Sequence, residues 1–181
     1  MFGTQVRPLV DVRVVEVRAA RPGDDEQRVR LFVAGLSQDT LTNRFFVGPG
    51  RPSASLIRAM VARDDRRDAL LALQGDAVIG HAMSYLADGS SGVEAEIAVV
   101  VDDRWQGIGV GSRLVRTLLR RASVRGAVAV GMDVMTENRR VLSMVRRAWP
   151  SATITTEGTS VEIKADLAFA EQGSVGSPLT M

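Results

Sequence analysis

Two glutamates and three glycines in one short stretch are the residues of this chain best suited to chemistry. Residues 93–114 run from an apolar strand pattern holding Glu94 and Glu96 into a turn with glycines at positions 107, 109 and 111. Because glycine has no Cβ, such a turn lets an anion approach the backbone closely. The helix that follows directs unpaired N–H groups and the positive end of its dipole at the same point. The stretch therefore predicts a phosphate-binding turn with two carboxylates one strand length upstream.

Length and composition bound the kinds of protein this chain can be. It has 181 residues, of which 45% are hydrophobic and 24% charged, as is ordinary for a globular protein. It has no cysteine, which excludes disulfides, thiolate metal sites and a cysteine nucleophile. With His81 as the only histidine, we expect neither a metal site nor a Ser-His-Asp triad. The N-terminus lacks the apolar segment of a signal peptide, and no apolar run approaches the ~20 residues of a membrane helix. We therefore expect a cytoplasmic protein with no membrane partner.

The basic residues do not predict a nucleic-acid partner. The formal charge is only +2, although the sequence pI is about 9.9. Nearly all basic residues are arginine, and Lys164 is the single lysine. Arginine stays protonated to very high pH, so the pI rises without a large charge at neutrality.

The elements that must position these groups form an α/β pattern, a mixed sheet of about seven strands with helices on both faces. Strands are predicted at 11–19, 69–73, 77–86, 93–101, 128–134, 152–156 and 159–165. Helices are predicted from 22–26 to about 36, at 53–62, from the glycine turn to 125–126, and at 137–149, whereas 37–46 is less regular. The three central strands form an antiparallel meander, and only the segment around 93–134 forms a strand–helix–strand crossover. We expect one domain over 11–168, a flexible N-terminus at 1–10 and a disordered tail at 169–181.

Two common phosphate-binding patterns do not fit the glycine turn. The dinucleotide fingerprint G-x-G-x-x-G requires a third glycine where this chain has Leu114. The crossover also follows a meander and is not part of a run of βαβ units. A P-loop requires Gly-Lys-Ser/Thr, which the turn lacks.

The turn fits a third pattern, Gln/Arg-x-x-Gly-x-Gly/Ala, through Gln106-Gly107-Ile108-Gly109-Val110-Gly111. It resembles the acyl-CoA pyrophosphate loop of the GNAT superfamily of N-acyltransferases, and the order of predicted elements over about 12–166 is similar to that superfamily's. The segments most similar to bacterial protein-lysine acetyltransferases are 21–24, 36–41, 44–46 and 137–142. The resemblance implies a GNAT-like fold and an N-acetyltransferase that moves an acetyl group from acetyl-CoA to a primary amine. A protein lysine is the first candidate acceptor, acetyl-CoA is the co-substrate, no metal is implied, and the chain would be a monomer or homodimer.

The resemblance also implies a set of site residues. The strand before the loop would splay from its neighbour, and the backbone there would bind the pantetheine arm, at Val99, Val100 and Val101. Loop amides would hold the pyrophosphate, at Gln106, Gly107, Ile108, Gly109, Val110, Gly111 and Ser112. Asn138 would bond the pantetheine or the surroundings of the amine, cap the last helix, or do both. Glu96 would be the general base that takes a proton from the amine, a role that burial of the carboxylate would favour. The alternative for Glu96 is a solvent-facing glutamate at a strand start.

One expected group has no counterpart in this chain. Many relatives place a tyrosine in the last helix as general acid for the CoA thiolate, but that position is Val145, and the only tyrosine, Tyr85, is on another strand. A thiol with a pKa of about 8–9 is a reasonable leaving group without a dedicated acid. Two other functions stay open: a small-molecule amine acetyltransferase, and a non-catalytic acyl-CoA-binding sensor that keeps the loop without turnover.

Overall fold

The computed structural model describes residues 15–46 and 53–167 and has one seven-stranded sheet with helices on both faces. The strands are β1 (Glu16–Ala19), β2 (Arg67–Gln74), β3 (Ala77–Gly89), β4 (Gly92–Val101), β5 (Ala127–Met135), β6 (Thr153–Glu157) and β7 (Ser160–Asp166). The helices are α1 (Glu26–Ala34), α2 (Gln38–Phe45), α3 (Ala54–Val61), α4 (Val110–Val124) and α5 (Arg139–Ala148), with a 3-10 turn at Asp103–Trp105 before α4. The predicted flexible ends and the first residues of the predicted strand at 11–19 lie outside the described residues.

The sheet order is β1-β2-β3-β4-β5-β7-β6. Strands β1 to β4 pair antiparallel in chain order, and β4 pairs parallel with β5 through the crossover helix α4. The prediction of a meander followed by one crossover is therefore confirmed. The parallel pair brings the carboxyl end of β4, and the glycine turn after it, beside the carboxyl end of β5.

One segment differs from the sequence expectation: residues 38–45 form the helix α2. The side chain of Ser37 caps this helix by accepting a hydrogen bond from the N–H of Thr40 at 3.2 Å. At its other end Phe46 adopts a left-handed conformation with φ 55°. Only Leu41 of this helix is buried, so the helical periodicity on which the sequence prediction depends is nearly absent.

Two hydrophobic cores lie on opposite faces of the sheet. The face covered by α4 and α5, called here the α4 face, includes Leu114 and Leu118 of α4. The opposite face, called the α1–α3 face, is packed by residues such as Phe32 and Ile57. Strand β4 contributes to both cores, because its odd-numbered residues face α4 and its even-numbered residues face α1–α3. Both glutamates of β4 therefore lie on the α1–α3 face, as the alternation predicts.

Candidate active site

Strands β4 and β5 separate in the middle of the sheet. Their pairing runs from Val93–Ala127 to Glu96–Gly131 and ends there, although both strands continue. Residues 97–101 of β4 and 132–135 of β5 therefore border an opening, called here the β4–β5 gap. Backbone groups that point into the gap have no partner in the sheet ladder, so they are available to a ligand.

The register of β4 against β3 decides which backbone groups point into the gap. The N–H of Asp102 donates to the carbonyl of Ile79 at 2.9 Å, and Val100 stands opposite His81. Along an antiparallel strand, the backbone N–H and C=O groups of successive residues point to opposite sides of the strand. The backbone groups of Val100 therefore point toward β3, as those of Asp102 do. The backbone of Val100 belongs to the ladder, and its predicted contact with pantetheine does not fit this register.

The backbone groups of Val99 and Val101, on either side of Val100, point away from β3. Val99 directs both backbone groups into the gap, and the carbonyl of Ile97, which had no predicted role, faces it at the last pair of the β4–β5 ladder. The carbonyl of Val101 also faces the gap but accepts a hydrogen bond from Nε2 of Gln106 at 3.0 Å. Among the three predicted valines, Val99 is the one with both groups available.

The glycines of the turn are not equivalent. Gly107 and Gly109 have φ values of +80° and +95°, a region that residues with a side chain rarely adopt. Gly111 lies within α4, and a Cβ there would make an ordinary contact of 3.5 Å with Val101. The first two positions require glycine for the backbone path, whereas the third tolerates a methyl group.

The N-terminus of α4 has the properties of an anion site. Its first helical hydrogen bond joins the N–H of Arg113 to the carbonyl of Gly109 at 3.0 Å, so the N–H groups of Val110, Gly111 and Ser112 precede it. Helices α2, α3 and α5 each have a side-chain cap, but α4 has none and has no acidic residue in its first turn. The positive end of this helix is therefore left for a ligand.

A carboxylate next to the turn holds α2 against it. Asp103 accepts hydrogen bonds from the hydroxyls of Ser37 and Thr40, both at 2.7 Å, and from the N–H of Ser37 at 3.1 Å. Burial opposes the charge on Asp103, but the bonds from Ser37 and Thr40 outweigh it and lower the pKa of this carboxyl. Gln106 completes the cluster with a bond of 3.3 Å to the Thr40 hydroxyl. Ser37 and Thr40 had no predicted role, because the contact spans more than sixty residues of chain.

Two carboxylates lie where the gap begins. Glu96 occupies the last paired position of β4, opposite Gly131, and its side chain is exposed. The burial that would favour a general base is therefore absent at Glu96. Glu94 is more buried, and its carboxylate lies over Gly131, in the space that a Cβ at that position would need. It also pairs with Lys164, whose Nζ is 3.8 Å away.

Tyr85 lies directly across from Glu96, although the sequence analysis set it aside as belonging to another strand. The two residues are register partners of β3 and β4, and Tyr85 is 43% exposed. The two-residue turn at Ser90 and Ser91 determines this register, so the turn was the signal that could have revealed the pair. A shallow hollow of about 440 Å³ adjoins it, lined by Asp64, Asp65, Arg66, Arg67 and Tyr85.

Asn138, at the start of helix α5, supplies a polar group near the gap. The Oδ1 of Asn138 accepts a hydrogen bond from the N–H of Val141 at 3.2 Å, so Asn138 is the helix cap. This cap uses only the oxygen of the side-chain amide, and its NH₂ group can still donate to a ligand. Val145, the position of the tyrosine in many relatives, is buried in the core of the α4 face.

The single histidine is part of the core. His81 is fully buried, and its Nε2 lies 2.7 Å from the carbonyl of Met60. A carbonyl can only accept, so Nε2 carries the proton. Burial lowers the pKa of His81 to about 4, which leaves the ring neutral and away from solvent.

The chain matches the model of the Acetyltransferase (GNAT) family over residues 36–148. The chain belongs to this family. It is a GNAT N-acetyltransferase, a class that binds acetyl-CoA and an amine acceptor. The matched segment contains the meander, the glycine turn, the β4–β5 gap and the whole of α5.

Several solved structures are similar to this chain. The GNAT domain of S. lividans PAT is 26% identical with a TM-score of 0.74, and the match covers 84% of this chain and 90% of that one. The cAMP-binding acyltransferase from Mycobacterium smegmatis is 21% identical with a TM-score of 0.58, over 90% of this chain and 46% of that one. The PaiA N-acetyltransferase from Thermoplasma acidophilum, in complex with coenzyme A, is 13% identical with a TM-score of 0.66, over 84% and 98%. The last two likenesses show the fold alone. No curated protein sequence matches the chain.

Two features are absent from the described residues, 15–46 and 53–167. No helix there is long and apolar enough to cross a membrane. No group of three or more potential ligands there could hold a metal ion.

Proposed function

We propose that this GNAT enzyme transfers the acetyl group of acetyl-CoA to the side-chain amine of a protein lysine, in the cytoplasm. The observation that carries the proposal is the combination of the β4–β5 gap, the uncapped N-terminus of α4 at its mouth and the carboxylates where the gap begins. The likeness to the GNAT domain of S. lividans PAT supports a protein acceptor.

The reaction proposed is direct attack of the amine on the thioester in a ternary complex. The chain has no cysteine to carry an acyl intermediate. The new C–N bond forms as the C–S bond breaks, and the electron pair leaves with the CoA sulfur. Glu96 takes the proton from the attacking nitrogen, directly or through one water. The N–H of Val99, which points into the gap, polarises the thioester carbonyl.

The charge of the α1–α3 face near the gap supports a cationic acceptor. Register places carboxylates of β4, β5 and β7 on this face, at Glu94, Glu96, Asp133, Glu162 and Asp166. Lys164 is the one cation that these three strands place there, and it pairs with Glu94 and Glu162. A net negative surface attracts a protonated amine before the amine loses its proton.

The test is release of free CoA from acetyl-CoA, measured with a panel of lysine peptides, a panel of small amines, and no acceptor. We expect lysine peptides to support turnover and mass spectrometry to place the acetyl group on the ε-nitrogen. Turnover with small amines alone would replace the lysine acceptor by a small-molecule one. CoA binding without release by any amine would favour the sensor and overturn the proposal.

A further inference from the structure

An arginine of α5 lies against the glycine turn. A Cβ built on Gly107 would be 2.7 Å from Nη2 of Arg140, so the guanidinium occupies the space beside this glycine. Arg140 is the second residue of α5 and is exposed. The side chain therefore reaches from the start of α5, on one side of the gap, to the turn on the other side.

The turn itself supplies neutral donors only. From Gln106 to Ser112 there is no basic residue. The arginines on either side are engaged elsewhere, since Arg104 pairs with Asp102 at 2.9 Å and Arg113 donates to the carbonyl of Val15 at 2.6 Å. Within the described residues, Arg140 takes part in no ion pair.

A diphosphate at this turn needs more than the N–H groups of α4. The helix end contributes about half an elementary charge, whereas a diphosphate diester carries two negative charges. A guanidinium offers five donors in a planar arrangement that matches phosphate oxygens. Arg140 is the arginine whose guanidinium lies at the turn, beside Gly107.

We propose that Arg140 binds the diphosphate of acyl-CoA from the α5 side of the gap, opposite the N–H groups of α4. The proposal rests on the proposed use of acetyl-CoA. It makes α5 a part of the co-substrate site through a charged residue as well as through Asn138. Closing the ligand between two helices would also hold the two sides of the gap together.

The test is equilibrium binding of CoA and of dephospho-CoA to the wild-type chain and to the variants Arg140→Ala, Arg140→Lys and Arg147→Ala. Arg147 is the matched control, because it is an exposed arginine in the last turn of the same helix. We expect Arg140→Ala to weaken CoA binding about 10-fold or more, because it removes a charge-assisted contact. The loss of affinity caused by Arg140→Ala should be the same for dephospho-CoA, which lacks the 3′-phosphate. Arg140→Lys should recover part of the loss, and Arg147→Ala should bind as the wild type does.

The salt dependence of CoA affinity is a second measurement, and a purely structural role of Arg140 would not change it. Screening weakens the binding of a charge more than the binding of neutral groups, so affinity for CoA should fall less steeply with salt in Arg140→Ala than in the wild type. Arg140→Gln keeps a polar but shorter and uncharged side chain and should behave as the alanine variant does.

Three outcomes would overturn the proposal. One is an unchanged affinity in both uncharged variants. Another is a loss confined to CoA and absent with dephospho-CoA, which would assign Arg140 to the 3′-phosphate. The third is an equal loss in Arg147→Ala, which would indicate an effect of overall charge. Failure of the wild-type chain to bind CoA would instead overturn the proposed function, on which this proposal rests.

Discussion

At the scale of single residues, the two carboxylates at the start of the gap differ in their surroundings. Glu96 is exposed opposite Tyr85, whereas Glu94 is partly buried and paired with Lys164. We predict that Glu96→Gln lowers kcat about 100-fold or more while CoA affinity is unchanged, because the glutamine cannot accept a proton. Steady-state kinetics across the pH range, with CoA binding measured separately, checks this.

The matched control is Glu94→Gln, which removes a carboxylate from the same face of the same strand. We expect a much smaller loss of kcat, since the Glu94 carboxylate is engaged by Lys164. A rate for Glu96→Gln equal to that of the wild type at every pH would show that Glu96 is not the base. A larger loss in Glu94→Gln would move the role to Glu94.

The burial of His81 predicts how the stability of the fold depends on pH. Burial lowers its pKa in the folded chain to about 4, and the unfolded value is about 6.5. The unfolded chain therefore binds a proton that the folded chain does not, and stability falls as pH falls from about 6.5 toward 4. The nearby guanidinium of Arg44 stays charged throughout this range, because burial lowers the pKa of Arg44 only to about 10.

Urea unfolding measures the effect. We expect the free energy of unfolding to decrease by about 2 kcal/mol between pH 7 and pH 5. The variant His81→Gln should show a flatter profile over this range, because it removes the only histidine. An equal slope in the variant would assign the pH dependence to carboxylates.

At the scale of elements, the glycine turn contains two kinds of glycine, one required by the backbone conformation and one that is not. A side chain at Gly109 meets no atom within 4 Å but must adopt φ +95°, whereas Gly111 lies in the helix. We predict that Gly109→Ala costs about 1–2 kcal/mol of stability and weakens CoA binding, because the strained backbone moves the N–H groups of α4. Gly111→Ala should retain both properties. Unfolding and CoA titration of the two variants check this, and equal losses would contradict it.

Helix α2 shows why some elements escape a sequence prediction. Only one side chain of this helix is buried, so its sequence shows almost no hydrophobic periodicity of the helical kind. The hydrogen bonds to Asp103 hold its first turn, and these partners are more than sixty residues away along the chain. Helix α2, which stands beside the glycine turn, is therefore held by a contact that no local window contains.

At the scale of the whole molecule, one buried carboxylate joins helices from the two faces of the sheet. Asp68 of β2 is 2% exposed and accepts hydrogen bonds from Arg63, after α3, at 2.9 Å and from Arg121 of α4 at 2.6 Å. We predict that Asp68→Asn lowers the free energy of unfolding by about 2 kcal/mol, because it leaves two arginines without their anion. Urea unfolding at pH 7 measures this.

The control is Asp76→Asn. Asp76 pairs with Arg28 at 3.0 Å, but its carboxylate is 98% exposed, and such surface pairs contribute about 0–1 kcal/mol. A loss in Asp68→Asn no larger than in this control would show that the buried cluster does not join the two faces.

The sequence by itself determined the kinds and order of the elements other than α2, the place of the glycine turn and the face on which Glu94 and Glu96 lie. These properties follow from local physics: side-chain alternation along a strand, periodicity along a helix, and glycines where the backbone requires them. The tertiary structure alone decided that β4 leaves β5 after Glu96, that Val99 and Ile97 direct backbone groups into the gap while Val100 does not, and that Tyr85 and Arg140 lie at the site. Those facts depend on register and on contacts between distant segments, and a one-residue change of register reverses the direction in which each backbone group points.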